Sequence, residues 1–305
     1  MIHTMQSSEN SVAFIYEYGK EIWSTPSSLM EEFESIGWHV SRYHLSKMNK
    51  DEELSLFDLK PNMCITMDWK GIDISMHVKN KLRNIGSYMV RECGDTPQNY
   101  DNHLKVCDGY NLILTPDYPS ALKYQAIGYD TLWSNHFADS RIHDKSYFSS
   151  DNLPPVRSTR GQNGSLFMDD LSLMMPQKFI NKNGFTGHDY GAFLSNGKIT
   201  LQNSRWKEIT RRIFEGAACG TMVLTDRLSK ETMIDELFIE DENIVYYDDY
   251  NDCISKINYY LSPEGESERI RIAKNGYDLV HTHHTQKQRV ESIIEKYNIW
   301  KANSQ

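Results

Sequence analysis

Short apolar runs, each followed by an amphipathic stretch, set the limits on what this chain can fold into. Residues 12–16 (VAFIY) read as a buried strand. Pro26 suits the first turn of a helix with Thr25 as its N-cap, Leu29, Phe33 and Ile36 recur at helical spacing, and Gly37 ends the segment. The rhythm then repeats. Strands are predicted over 39–43, 63–67 (MCITM), 88–91, 111–115 (NLILT) and 130–134, and helices over 74–84 and 120–127, closed by Gly86 and Gly128. Strands that alternate with helices in this way favour a parallel sheet covered on both faces.

Residues 145–163 break the rhythm. They are rich in Ser, Asn, Pro and Arg, and Pro154-Pro155 suits neither a helix interior nor a central strand, so the segment reads as an interdomain connection. Beyond it come a helix over 166–175 stopped by Pro176, a glycine-containing loop over 183–191, and strands over 198–202, 222–224 and 243–247 (NIVYY). Helices follow over 252–261, 268–280 and 286–302. There is no internal repeat. For 305 residues this gives two α/β domains, 1–150 and 151–285, with a final helix, 286–305, returning to the first. Ligands in such sheets bind at the carboxyl ends of the strands, so the loops there are where function is sought.

The formal charge of −9 argues against non-specific nucleic-acid binding, which needs a positive field. Five cysteines (Cys64, Cys93, Cys107, Cys219 and Cys253) form no CxxC pair and read as reduced thiols of a cytoplasmic protein. The first residues lack a basic segment followed by an apolar run, and no stretch reaches the length of a membrane span. His281, His283 and His284 lack a carboxylate or thiolate nearby to complete a metal set, so neither metal nor cofactor is expected. No Walker loop, G-x-G-x-x-G or G-x-S-x-G occurs.

The stretch RRIFEGAACGTMVLTDR, 211–227, carries the chemistry. Glu208, Arg211, Arg212 and Glu215 share a helical face, which on spacing alone suits a solvated stripe of ion pairs. The small residues Ala217, Ala218 and Cys219 instead suit a helix pressed against its neighbour, where a carboxylate needs partners, and ribose hydroxyls would serve. Ser204, in the loop 202–205 after a strand, can cap this helix, whose free N–H groups make an anion site beside Arg205.

This stretch resembles the signature of GT-B glycosyltransferases. Together with ELFIEDENIVYYDDYNDCISKINYYL and RIRIAKNGYDLVHTHHTQKQRVESI it is similar to the small glycosyltransferases grouped with the spore maturation protein CgeB, over 198–297. The resemblance implies two Rossmann-like domains facing across a cleft, the first binding an acceptor and the second a nucleotide-sugar, with a UDP-sugar expected. Glu215 would grip the ribose, with Arg212 on the donor side. Asn203, Ser204 and Arg205 would lie near the diphosphate. Arg160 (or Arg157), with Gly161 beside it, would offer positive charge to the leaving group. GDTPQ at 94–98 and NHFAD at 135–139 fall where such proteins carry cleft loops, which makes Asp95 and His136 candidates at the reacting centre. Asp95 also suits a plain turn, and His136 an ordinary surface position. Trp23 and Thr25 would border the acceptor, although a loop tryptophan is as readily a core anchor. Many retaining GT-B enzymes carry a second glutamate eight positions before the ribose-binding one. Lys207 stands there, beside Glu208, and retention is only leaned towards. The expected acceptor is a polysaccharide or glycoprotein. A DNA base, a non-catalytic nucleotide- or carbohydrate-binding protein, and an epimerase stay as alternatives.

Overall fold

The computed structural model describes residues 10–17, 24–96, 98–147, 152–159, 166–204 and 206–304. Contacts group the chain into two units, one running up to Asn135 and resuming at Arg289, the other spanning His136–Gln288.

The first unit contains β1 (Ser11–Tyr16), α1 (Thr25–Ser35), β2 (His39–His44), α2 (Lys50–Leu59), β3 (Met63–Asp68), α3 (Met76–Asn84), β4 (Tyr88–Cys93), α4 (Tyr100–Leu104), β5 (Leu112–Thr115), α5 (Tyr118–Ala126) and β6 (Thr131–Trp133). Its six strands are all parallel, in the order β2-β1-β3-β4-β5-β6. β1 and β3 are buried along their whole length, as continuous apolar runs require in a sheet covered on both faces.

The second unit contains β7 (Val156–Ser158), α6 (Leu166–Met174), β8 (Phe179–Asn181), α7 (Gly187–Ser195), β9 (Ile199–Gln202), α8 (Arg211–Ala218), β10 (Met222–Asp226), β11 (Val245–Tyr247), α9 (Tyr250–Tyr260) and α10 (Glu266–His283). Its parallel sheet runs β11-β10-β9-β7-β8, which in chain order is the first unit's pattern without its sixth strand. The core beneath it draws on Val156, Leu171, Leu201, Leu224 and Ile257. The last helix, α11 (Gln286–Asn303), packs on the first unit through Tyr297 against Trp38 and Trp300 against Tyr88, with Lys296 paired to Asp130 at 2.7 Å. Two parallel-sheet α/β units with a returning final helix are thus what the sequence reading expects.

Several local expectations need correction. Ser24, not Thr25, caps α1, its hydroxyl accepting from the Ser27 N–H at 3.4 Å, and Thr25 is the first helical residue. α2 went unassigned although Asn49 and Glu52 form a reciprocal capping box. β7 lies inside the stretch read as a linker. Pro154-Pro155 precede rather than interrupt it, and Arg157 is buried in it, donating to the Phe193 and Pro154 carbonyls at 2.6 and 3.2 Å. β8 carried no assignment, and α7 was read as a loop because Gly187 and Gly191 fall within it.

The contact boundary also falls ahead of that stretch. Residues after Asn135 bond within the second unit: Ala138 N–H donates to the His284 carbonyl at 3.0 Å, Ser140 N–H to Gln286 Oε1 at 3.0 Å, and Tyr277 hydroxyl to Asp144 at 3.0 Å.

Candidate functional site

In the second unit the chain leaves β7 towards β8 on one side and returns to β9 on the other. That change of direction opens a crevice at the carboxyl ends of β7 and β9, the usual ligand position in such sheets. α8 follows β9 and is held unusually close to it. A Cβ on Gly216 would stand 2.7 Å from the Thr200 side chain. Ala217 and Ala218 are fully buried, and α10 approaches on the far side, where a Cβ on its Gly276 would meet Ala217 at 3.5 Å. The small residues after Glu215 are therefore what lets the helix lie against the sheet.

That packing leaves Glu215 8% exposed. Its Oε2 accepts from the Tyr190 hydroxyl of α7 at 2.9 Å. Its Oε1 lies 3.0 Å from Arg211 Nε and 3.7 Å from His143 Nε2. Arg212 turns the other way, its Nε donating to the Thr159 hydroxyl at 3.0 Å just beyond β7. Arg211 lies over the Phe137 ring at 5.2 Å, and the His143 and Tyr190 rings meet edge-on at 5.6 Å. His143 Nδ1 accepts from the Asp139 N–H at 3.2 Å, so the neutral ring carries its proton on Nε2. Among the described residues that Nε2 has no hydrogen-bond partner, since 3.7 Å is beyond a hydrogen bond.

Burial pushes the Glu215 carboxyl up, but His143, Arg211, Arg212 and the Tyr190 hydroxyl outweigh it and the net direction is down. Burial likewise drives the His143 imidazole down, against the pull of Glu215. The two titrations are coupled. A neutral His143 beside an ionised Glu215 satisfies both directions, because the two guanidiniums keep their charge. Burial, then Glu215, push the Tyr190 phenol up, so it stays a donor. The result is an ionised, oriented carboxylate. Each of its oxygens has lone-pair capacity beyond its present partners, enough to accept from two adjacent hydroxyls.

Ser204 does not cap α8. That helix begins at Arg211 after Thr210, and the Ser204 N–H and hydroxyl both donate to Asp226, at 2.7 and 2.5 Å, where Lys207 also pairs at 2.8 Å. Glu208 precedes the helix and so leaves the expected stripe. Asn203 donates to the Tyr247 hydroxyl at 2.9 Å. Asn203 and Ser204 thus sit together at the carboxyl ends of β9, β10 and β11. Arg157 is spent inside the sheet and offers no charge to a ligand. Arg160, Gly161, Arg205 and Trp23 lie outside the described residues.

In the first unit Asp95 is exposed in the turn after β4, with a left-handed φ of 49° that Asp tolerates better than most residues. Before it, Gly94 lies against Trp69, whose Cδ1 would stand 2.4 Å from a Cβ there. Asn99 holds the Trp69 carbonyl at 2.7 Å, and the indole remains 37% exposed at the carboxyl end of β3. Thr25 is half-buried at the start of α1, and His136 half-buried at the start of the second unit. Asp95 and His136 accordingly belong to different units.

His143, Tyr190, Asp226 and Trp69 escaped the sequence reading. Only the loop NHFAD, whose Asp139 orients His143 through its backbone, pointed near them. Among the described residues no group of three His, Cys, Asp or Glu is placed to hold a metal ion. His281 instead meets the Ala218 carbonyl at 3.0 Å, and His284 packs on Phe214. No helix of the described residues is long and apolar enough to cross a membrane.

A family described as glycosyl transferase-like matches residues 173–295, which hold α8 and most of the second unit. No curated protein matches the sequence. Among solved structures, sucrose-phosphate synthase from Thermosynechococcus elongatus is similar at 11% identity and a TM-score of 0.64, covering 97% of this chain and 100% of its own. Anabaena HepE, in complex with UDP and glucose, is similar at 10% identity and a TM-score of 0.61, covering 95% and 100%. A candidate UDP-N-acetylglucosamine 2-epimerase from Listeria monocytogenes is similar at 9% identity and a TM-score of 0.57, covering 94% and 95%. The fold is that of the GT-B glycosyltransferases.

Proposed function

We propose that this chain is a metal-independent hexosyltransferase, related to the CgeB-like enzymes, that moves a sugar from a UDP-sugar to a hydroxyl of a polysaccharide or glycoprotein. The observation that carries the reading is the buried, ionised Glu215 at the change of strand direction, held by Arg211 and Tyr190 with acceptor capacity to spare. Its carboxylate receives the two ribose hydroxyls. His143 Nε2–H, which meets no hydrogen-bond acceptor among the described residues, donates to one of the same oxygens.

Arg212 and Asn203 face the diphosphate, and Arg160, Gly161 and Arg205 are assigned to the same group of the donor. As the bond from the sugar anomeric carbon to the phosphate oxygen breaks, UDP departs with the electron pair, and guanidinium groups stabilise the growing charge. The acceptor oxygen forms the new bond to the anomeric carbon and gives its proton to the Asp95 carboxylate. Asp95 orients that hydroxyl, His136 attends the sugar, and Trp69 offers an indole face to the acceptor alongside Trp23 and Thr25. Retention of configuration is part of this proposal.

The test is release of UDP from UDP-glucose, UDP-galactose and UDP-N-acetylglucosamine, with and without glycan acceptors. The proposal expects acceptor-dependent release that EDTA leaves unchanged. The fold shared with a candidate epimerase gives a second reading a footing. Conversion of one UDP-sugar to its epimer without acceptor would favour that reading and overturn ours.

A further inference from the structure

A cavity of about 390 Å³ in the first unit is lined by none of the residues assigned above to the donor or the acceptor. Asn80, Arg83 and Asn84 reach it from the last turns of α3, Ser87 and Asn111 from the entrances of β4 and β5, and Trp300 from α11. It therefore sits at the amino ends of β4 and β5, and the carboxyl end of β4 leads to Asp95. β4 has six residues, so about 20 Å separates the two ends.

The lining offers polar groups that no described residue uses. The side chains of Asn80, Arg83 and Asn84 make no hydrogen bond or ion pair with the described residues. Asn111 uses its Oδ1 to accept from the Met89 N–H at 2.9 Å, which fixes the amide and leaves its NH₂ group over. Trp300 is pinned by Tyr88 at 5.0 Å and Tyr297 at 6.1 Å while it borders the cavity. No carboxylate lines the space.

We propose that this cavity binds a neutral hexopyranose residue of a glycan, at a second site independent of UDP. Free amides carry a donor and an acceptor side by side, which is what the vicinal hydroxyls of a sugar require. Those groups come from α3 and from the entrance of β5, on either side of an indole from α11, matching hydroxyls that radiate about a ring with an apolar face. A nucleobase would instead present its polar edge in one plane. An anion is disfavoured, because the cavity lies at the negative end of α3 and holds one guanidinium. The volume falls within the roughly 300–1,000 Å³ of small-molecule sites.

The test is saturation-transfer NMR on the full chain with the methyl glycosides of glucose, galactose, mannose and N-acetylglucosamine, maltotetraose, and AMP. At least one glycoside should bind, with a dissociation constant on the order of millimolar. Asn80→Ala and Arg83→Ala, both at exposed positions, should each weaken it about fivefold with melting temperature unchanged. Saturating UDP, or Glu215→Gln, should leave it intact, so this inference stands or falls apart from the proposed donor site. It is overturned if no glycoside binds the folded protein, if binding survives both substitutions, if UDP competes, or if AMP alone binds.

Discussion

Each unit buries one carboxylate among cations and a tyrosine hydroxyl, yet the two clusters are closed to different degrees. In the first unit Asp73 meets Lys79 and Tyr110 at 2.5 Å and Arg91 at 3.1 Å. Lys79 is used up by the Val106 and Asp108 carbonyls at 2.7 and 2.8 Å, and the side chains of Asp73, Lys79 and Arg91 are at most 3% exposed. In the second unit Glu215 has a similar set of partners, but its side chain is 10% exposed and that of Arg211 is 19% exposed. Two sheets with the same strand order thus put the same chemistry to different ends. The cluster sealed from solvent serves the fold, and the more open one at a change of strand direction has room for a ligand.

The sharpest way to break this contrast is to neutralise each carboxylate in turn. Asp73→Asn removes the carboxylate nearest both Lys79 and Arg91, leaving Lys79 with two carbonyls and Arg91 with Asp68 at 3.9 Å, and should cost about 3 kcal/mol in urea unfolding, with UDP affinity of the folded protein unchanged. Glu215→Gln should weaken UDP roughly 10- to 100-fold by calorimetric titration, while lowering stability less than Asp73→Asn does. A swapped pattern would mean the clusters have been assigned to the wrong roles.

Gly216→Ala tests the close packing that positions Glu215. A methyl group 2.7 Å from Thr200 must displace helix or strand, at about 1–3 kcal/mol of stability and with some loss of UDP affinity. The smallest effect is in pH. Both His143 and Glu215 have folded-state values below their unfolded ones, so the unfolded chain binds more protons. The contribution of His143 is complete above an unfolded value of about 6.5 and is lost as pH falls through the folded one, and that of Glu215 follows at lower pH. Wild type should lose more stability than His143→Asn between pH 7 and pH 5 in urea unfolding.

The parallel-sheet architecture was legible because continuous apolar runs such as VAFIY and NLILT admit few other structures. β7 was not, since its buried Arg157 is satisfied by carbonyls of Phe193 and Pro154 that only the fold brings near. α7 was masked by two glycines, and with it Tyr190. Glu215 could be read because the evidence of its burial, the small residues after it, is local. His143 and Asp226 could not, because their partners are distant in the chain. Ser204 has the composition of a helix cap, but Asp226 claims both of its donors.

Hydrogen exchange with and without saturating UDP tests the contrast between the units most directly. The account predicts slowed exchange in α7 and α8 of the second unit and unchanged exchange around Asp73, Arg91 and Tyr110. Protection confined to the first unit, or no protection anywhere in the folded protein, would contradict it.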